Sequence, residues 1–102
     1  MKPAKRQRLE RAGWAVGSTT DFLQLTPDET ALVEMKLALS ESLRHWRTRK
    51  GLTQGALARQ LGSSQSRVAK MEAADPTVSF DLLLRSLLHL GASRKAIARA
   101  IG

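Results

Sequence analysis

The residues best equipped for chemistry are Ser64, Gln65, Ser66 and Arg67, with Lys70 one helical turn further on. A glutamine can pair bidentately with adenine, a serine can bond several base edges, and an arginine or lysine can take guanine or a phosphate. Short polar groups at the front of a helix, with cations on its flanks, suit a DNA groove. The catalytic alternatives are thin. Ser63, Ser64 and Ser66 form a nucleophile cluster by composition alone, because no base is placed beside them. His45 and His89 stand apart from each other and from carboxylates at ligand spacing. With no Cys, a thiolate zinc site, a cysteine nucleophile and a disulfide scaffold are all excluded. No metal set, activated nucleophile or glycine-rich phosphate loop is present, so the residues argue against an enzyme and imply no cofactor.

The polar row must be carried on a helix and braced by another. Leu57, Ala58 and Leu61 share one face of a helix over about 53–61, and Val68 and Met71 point inward from a helix over about 64–73. Only two or three residues separate the two, which makes a helix-turn-helix over about 53–73. Ala58 has to be small because the two axes approach closely there. Gly62 supplies the positive φ that ends the first helix in a tight turn. The outward residues of the second helix are then Ser64, Gln65, Ser66, Arg67 and Lys70, and such a helix can lie in the major groove.

Further elements enclose this pair. Thr26-Pro27-Asp28-Glu29 combines an N-cap, a proline at the first helical position and a glutamate placed for a capping box. Apolar residues then recur at Leu32, Met35, Leu39, Leu43 and Trp46, which predicts one long helix reaching about Lys50 and stopping at Gly51. Asp75-Pro76 breaks the pattern, Ser79 can cap a fourth helix running to Gly91, and Ser93 opens a short fifth helix ending near Ala100. Leu82, Leu83, Leu84, Leu87, Leu88 and Leu90 give the fourth helix a broad apolar face, for the core or a dimer interface. The expected class is therefore all-α, with five helices over 26–102 and an extended first helix.

Residues 1–25 read differently, as a flexible basic N-terminal arm followed by a short apolar segment. The arm is either a solvated tail or a tracker of phosphates. Trp14, Phe22 and Leu23 need cover, from this chain or from a partner.

Composition agrees with a small basic helical protein. The 102 residues carry a formal charge of +8, hydrophobic residues make up 42%, aromatics only 4%, and Tyr is absent. Such a core rests on Leu, Ala, Val and Met and favours helices. Charge is uneven: +4 over 1–20, −4 over 21–42, +5 over 43–75 and +3 over 76–102. Basic blocks flanking an acidic one point to a polyanion partner. No stretch approaches the roughly 18 apolar residues of a membrane span, and a cytoplasmic location is expected.

The run Leu52-Thr53-Gln54-Gly55-Ala56-Leu57-Ala58-Arg59-Gln60-Leu61-Gly62-Ser63-Ser64-Gln65-Ser66-Arg67-Val68-Ala69-Lys70-Met71-Glu72 closely resembles the lambda-repressor-like, or XRE, DNA-binding family. The resemblance covers about Leu39 to Leu90. It implies a five-helix fold, a phosphate contact from Gln54, base reading by Ser64, Gln65, Ser66, Arg67 and Lys70, and a structural ion pair between Arg47 and Glu72. Thr53, Arg59, Arg44, Arg49 and Lys50 are the other phosphate candidates.

Two departures stand out. Gly55 replaces the family's usual alanine, and the first helix begins about a dozen residues early. With the Leu-Glu-Arg-Ala-Gly-Trp-Ala-Val-Gly-Ser stretch before it, that long helix more loosely resembles the XRE antitoxins (HigA-type) encoded beside RelE- or HigB-type toxins. The implied protein is a repressor acting as a homodimer on double-stranded DNA at a pseudo-palindromic operator, and the looser resemblance adds an antitoxin that represses its own operon. The competing reading is an interaction module that mainly neutralises a small RNase toxin, contacted through Trp14, Phe22 and Leu23. A dimer surface is expected between Leu82 and Ile101.

Overall fold

A computed structural model describes residues 25–102, and the basic arm, Trp14, Phe22 and Leu23 lie outside the described residues. The described chain is all-helical: α1 is Pro27–Arg49, α2 Gln54–Leu61, α3 Gln65–Glu72, α4 Phe80–His89 and α5 Arg94–Ile101. None of these helices is long and apolar enough to cross a membrane.

Each helix starts at a hydroxyl residue in extended conformation, whose oxygen accepts from the amide three positions on. Thr26 caps α1 through Glu29 N at 3.1 Å and Thr53 caps α2 through Ala56 N at 3.0 Å. Ser64 caps α3 through Arg67 N at 3.1 Å, Ser79 caps α4 through Leu82 N at 3.1 Å, and Ser93 caps α5 through Ala96 N at 3.0 Å. At about 1 kcal/mol per cap these bonds fix where every helix begins. The stops are equally local. Gly62 closes α2 at φ +65°, and Ser63 N donates back to the Ala58 carbonyl at 2.8 Å.

Helix α1 is the spine, packing against α3, α4 and α5, while α2 packs mainly on α3. Leu39 and Leu43 from α1, Leu57 and Ala58 from α2, Val68 and Met71 from α3, and Leu83 and Leu87 from α4 form one core, closed by Ile97 of α5. Trp46, Leu52, Leu61 and Phe80 pack on its margin, half-buried.

The inward stripe expected for α1 needs correction at its amino-terminal end. Leu32 is 51% exposed, while Val33, Lys36, Leu37 and Ser40 are buried. At 100° per residue Leu32 shares a face with Leu39 and Leu43, but among the described residues no element covers it. The face that is covered there runs 33–37–40, one register step round the helix. Leu88 of α4 is likewise 50% exposed.

Gly55 lies inside α2, where glycine carries its usual helix penalty of about 1 kcal/mol. A Cβ at this position would meet only Gln65 Oε1 and Thr53 Oγ1, each at 3.9 Å, which is ordinary contact. Gly55→Ala is therefore expected to stabilise the fold by about 1 kcal/mol, raising Tm by roughly 4–8 °C. Thermal unfolding followed by circular dichroism checks this, and an unchanged or lowered Tm counts against the packing described.

Candidate nucleic-acid interface

Helix α3 presents two opposite faces. Val68 and Met71 have no exposed surface, whereas Gln65, Ser66, Arg67 and Lys70 are exposed, as is the cap Ser64. The buried pair seats α3 on α1 and α2, so the exposed row is held by the core. Ser66 and Lys70 stand in the middle of that row, one turn apart. Arg67 flanks them on the side of the α3–α4 turn, and Gln65 on the side of α2, where its Oε1 approaches Gly55.

Ser64 has a second duty. Its oxygen accepts the Arg67 amide as the helix cap, which leaves its hydroxyl proton as the group free to donate to a base or phosphate. Ser64, Ser66, Arg67 and Lys70 share a cavity of about 200 Å³ with Thr77 and Val78 from the turn after α3. Thr77 is a polar wall of this cavity that the sequence reading does not single out, because Asp75-Pro76 reads there only as a helix break. The signal was available: Asp two residues before a threonine forms the local turn in which Asp75 Oδ1 accepts from Thr77 N at 2.9 Å.

Beneath this face runs a charged network. Arg47 of α1 donates from Nε and Nη2 to the two carboxylate oxygens of Glu72, the second bond at 3.0 Å, and from Nη1 to the Leu52 carbonyl at 2.8 Å. The two side chains are 12% and 5% exposed. Three elements are joined by one guanidinium: the middle helix of the core, the turn before α2, and the end of α3. The pairing implied by the resemblance is thus present, in the two-pronged geometry that arginine alone offers a carboxylate.

The phosphate candidates divide. Thr53 is exposed but its oxygen caps α2, and Gln54 is half-buried with Nε2 donating to Glu72 Oε1 at 3.3 Å. One amide hydrogen of Gln54 remains for another acceptor. Arg44 is exposed and lines, with Gln54, Arg47 and Glu72, a groove of about 390 Å³ between α1 and α3. Arg59 is exposed in the last turn of α2. Arg49 instead lies over the Trp46 ring, 5.7 Å from its centroid, and Lys50 Nζ reaches the turn at Gly91. Neither lines the groove or the cavity just described beside α3. Arg44 and Gln54 thus line the groove beside α3, Thr53 and Arg59 lie at the two ends of α2, and Arg49 and Lys50 lean on other neighbours.

His89 is held by Gln60, with Nε2 and Oε1 3.0 Å apart, and so ties α4 to α2. Compared with known families, the chain matches the helix-turn-helix domain over residues 38–100. Neither the curated proteins nor the solved structures compared with it give a significant match.

Proposed function

On the premise that the chain belongs to the helix-turn-helix domain family, we propose that it is a sequence-specific transcriptional repressor. Its DNA-binding part is residues 26–102. A homodimer sets two α3 helices into successive major grooves of a pseudo-palindromic operator, about 34 Å apart. The observation that carries this reading is the exposed row Gln65, Ser66, Arg67 and Lys70 on a helix whose opposite side is fully buried. Ser64, Gln65 and Ser66 face base edges, and Arg67 and Lys70 take guanine or phosphate. Thr53, Gln54, Arg59 and Arg44 supply phosphate contacts that set the register.

Salt dependence tests the electrostatic half of the proposal. Neutralising about six phosphates predicts that log K falls with log salt at a slope near −5. Fluorescence anisotropy on a labelled duplex measures it, and a slope near zero removes the mechanism.

A second reading adds an antitoxin role, in which the protein represses its own operon and binds a small basic RNase toxin. Its support is the looser family resemblance together with Leu32, exposed on α1 beside Asp28 and Glu29 in the acidic segment. An apolar side chain among carboxylates complements a basic partner surface. Deleting residues 1–25, which removes Trp14, Phe22 and Leu23, and the substitution Leu32→Asp separate the roles. Loss of toxin neutralisation with DNA binding intact supports two surfaces, and loss of both assigns the segment to folding or dimerisation.

A further inference from the structure

Helix α1 starts at Pro27, whereas the family match starts at residue 38. The turns ahead of the match carry Val33, Lys36 and Leu37 into buried positions. Lys36 is the unusual one. It is 7% exposed, and lysines are almost never buried so far without a partner. Its Nζ donates to the Pro76 carbonyl at 3.2 Å, across 40 positions of sequence. Burial pushes the ammonium below its ordinary pKa, an effect opposed by the nearby Asp75 carboxylate.

Asp75 organises the turn that Lys36 grips. Its Oδ1 accepts from the backbone amide and the hydroxyl of Thr77, and its own carbonyl accepts from Val78 N at 3.0 Å. The two bonds from Thr77 hold the Asp75 carboxyl below its usual pKa. Thr77 and Val78 then wall the cavity they share with Ser64, Ser66, Arg67 and Lys70. The chain enters this turn through Ala74, a non-glycine residue at φ +54°. Such a conformation persists only where the surroundings hold it.

We propose that Lys36 is a positioning residue for DNA binding: the amino-terminal part of α1 clamps the Pro76 carbonyl and so holds Thr77 beside Arg67 and Lys70. An apolar side chain would fill the same space without the cost of burying a charge. What the ammonium adds is a directional bond to a turn that has no helix of its own. The proposal rests on the DNA-binding reading for its consequence, but the clamp itself can be measured without DNA.

The test compares the full-length chain with Lys36→Met and Lys36→Arg by three readouts: thermal stability, amide hydrogen exchange at Thr77 and Val78, and affinity for a duplex. Lys36 binds its proton less tightly in the fold than in the unfolded chain, so its charge costs stability at neutral pH, and that cost fades as pH rises toward 10.5. Lys36→Met is therefore expected to melt no lower than the parent. Both amides should nevertheless exchange about tenfold faster, and DNA should bind about tenfold more weakly, because the turn is no longer ordered beforehand. Lys36→Arg, which keeps a charged donor, should restore part of both losses. If Lys36→Met does not fold, Lys36→Gln, which is shorter and uncharged, serves for the same readouts.

Unchanged exchange in the variant overturns the clamp, whatever the DNA result. Faster exchange with unchanged affinity overturns the positioning role. A parent chain that shows no salt-dependent binding overturns the DNA-binding reading instead, with the clamp still judged by exchange.

Discussion

Arg47→Ala is expected to cost about 3 kcal/mol of folding stability, the usual penalty for stranding one partner of a buried pair. The Glu72 carboxylate, 5% exposed, would keep only the Gln54 amide, and the Leu52 carbonyl would lose its donor. For a domain of this size the loss lowers Tm by on the order of 15 °C. Denaturant unfolding of Arg47→Ala, Glu72→Ala and the double variant measures it as a cycle. The double variant should be less destabilised than the sum of the singles, because it leaves no unpaired charge. A cost below about 1 kcal/mol would place the pair with exposed surface bridges and contradict its burial. The same guanidinium ties α1 to the end of α3 and to the turn before α2.

Gln65→Ala is expected to act on specificity instead. Its side chain is exposed, stands one position inside α3, and leaves the Ser64 cap and the buried Val68 and Met71 untouched. Stability should stay within about 0.5 kcal/mol of the parent, as for surface changes away from caps and networks. Affinity for the preferred site should fall about ten- to hundredfold, corresponding to one lost bidentate base contact. Affinity for unrelated DNA should hardly move, because that binding comes from phosphates, and Arg44, Arg59, Arg67 and Lys70, the residues proposed to contact them, are unchanged. Anisotropy titrations on both kinds of duplex separate the two effects, and an equal loss on both would reassign Gln65 to the backbone.

Much of this architecture is readable from local chemistry. Thr26, Thr53, Ser64, Ser79 and Ser93 announce five helix starts within one residue, because a cap is a bond between residues three apart and needs no tertiary context. Gly62 declares its turn in the same way. The outward row of α3 follows from Val68 and Met71 being its apolar residues.

What failed to show is non-local. The burial of Lys36 depends on a carbonyl 40 residues away, which no periodicity encodes. Leu32 fits the stripe of Leu39 and Leu43 by spacing, yet spacing says nothing about how far along α1 the neighbouring helices extend. Thr77 was hidden for a related reason. Its Asp75 turn is local, but its position beside Arg67 and Lys70 depends on how the chain leaves α3 through Ala74. The resemblance supplied the Arg47–Glu72 pair, which composition and spacing alone leave open.

Reading of base sequence by α3 meets its sharpest test in selection from a random-sequence duplex pool. The parent chain should enrich a pseudo-palindrome with half-site centres about one helical turn apart, and Gln65→Ala should relax a single position in each half-site. Recovery of no enriched sequence, or of the same sequence by both proteins, would contradict reading by α3.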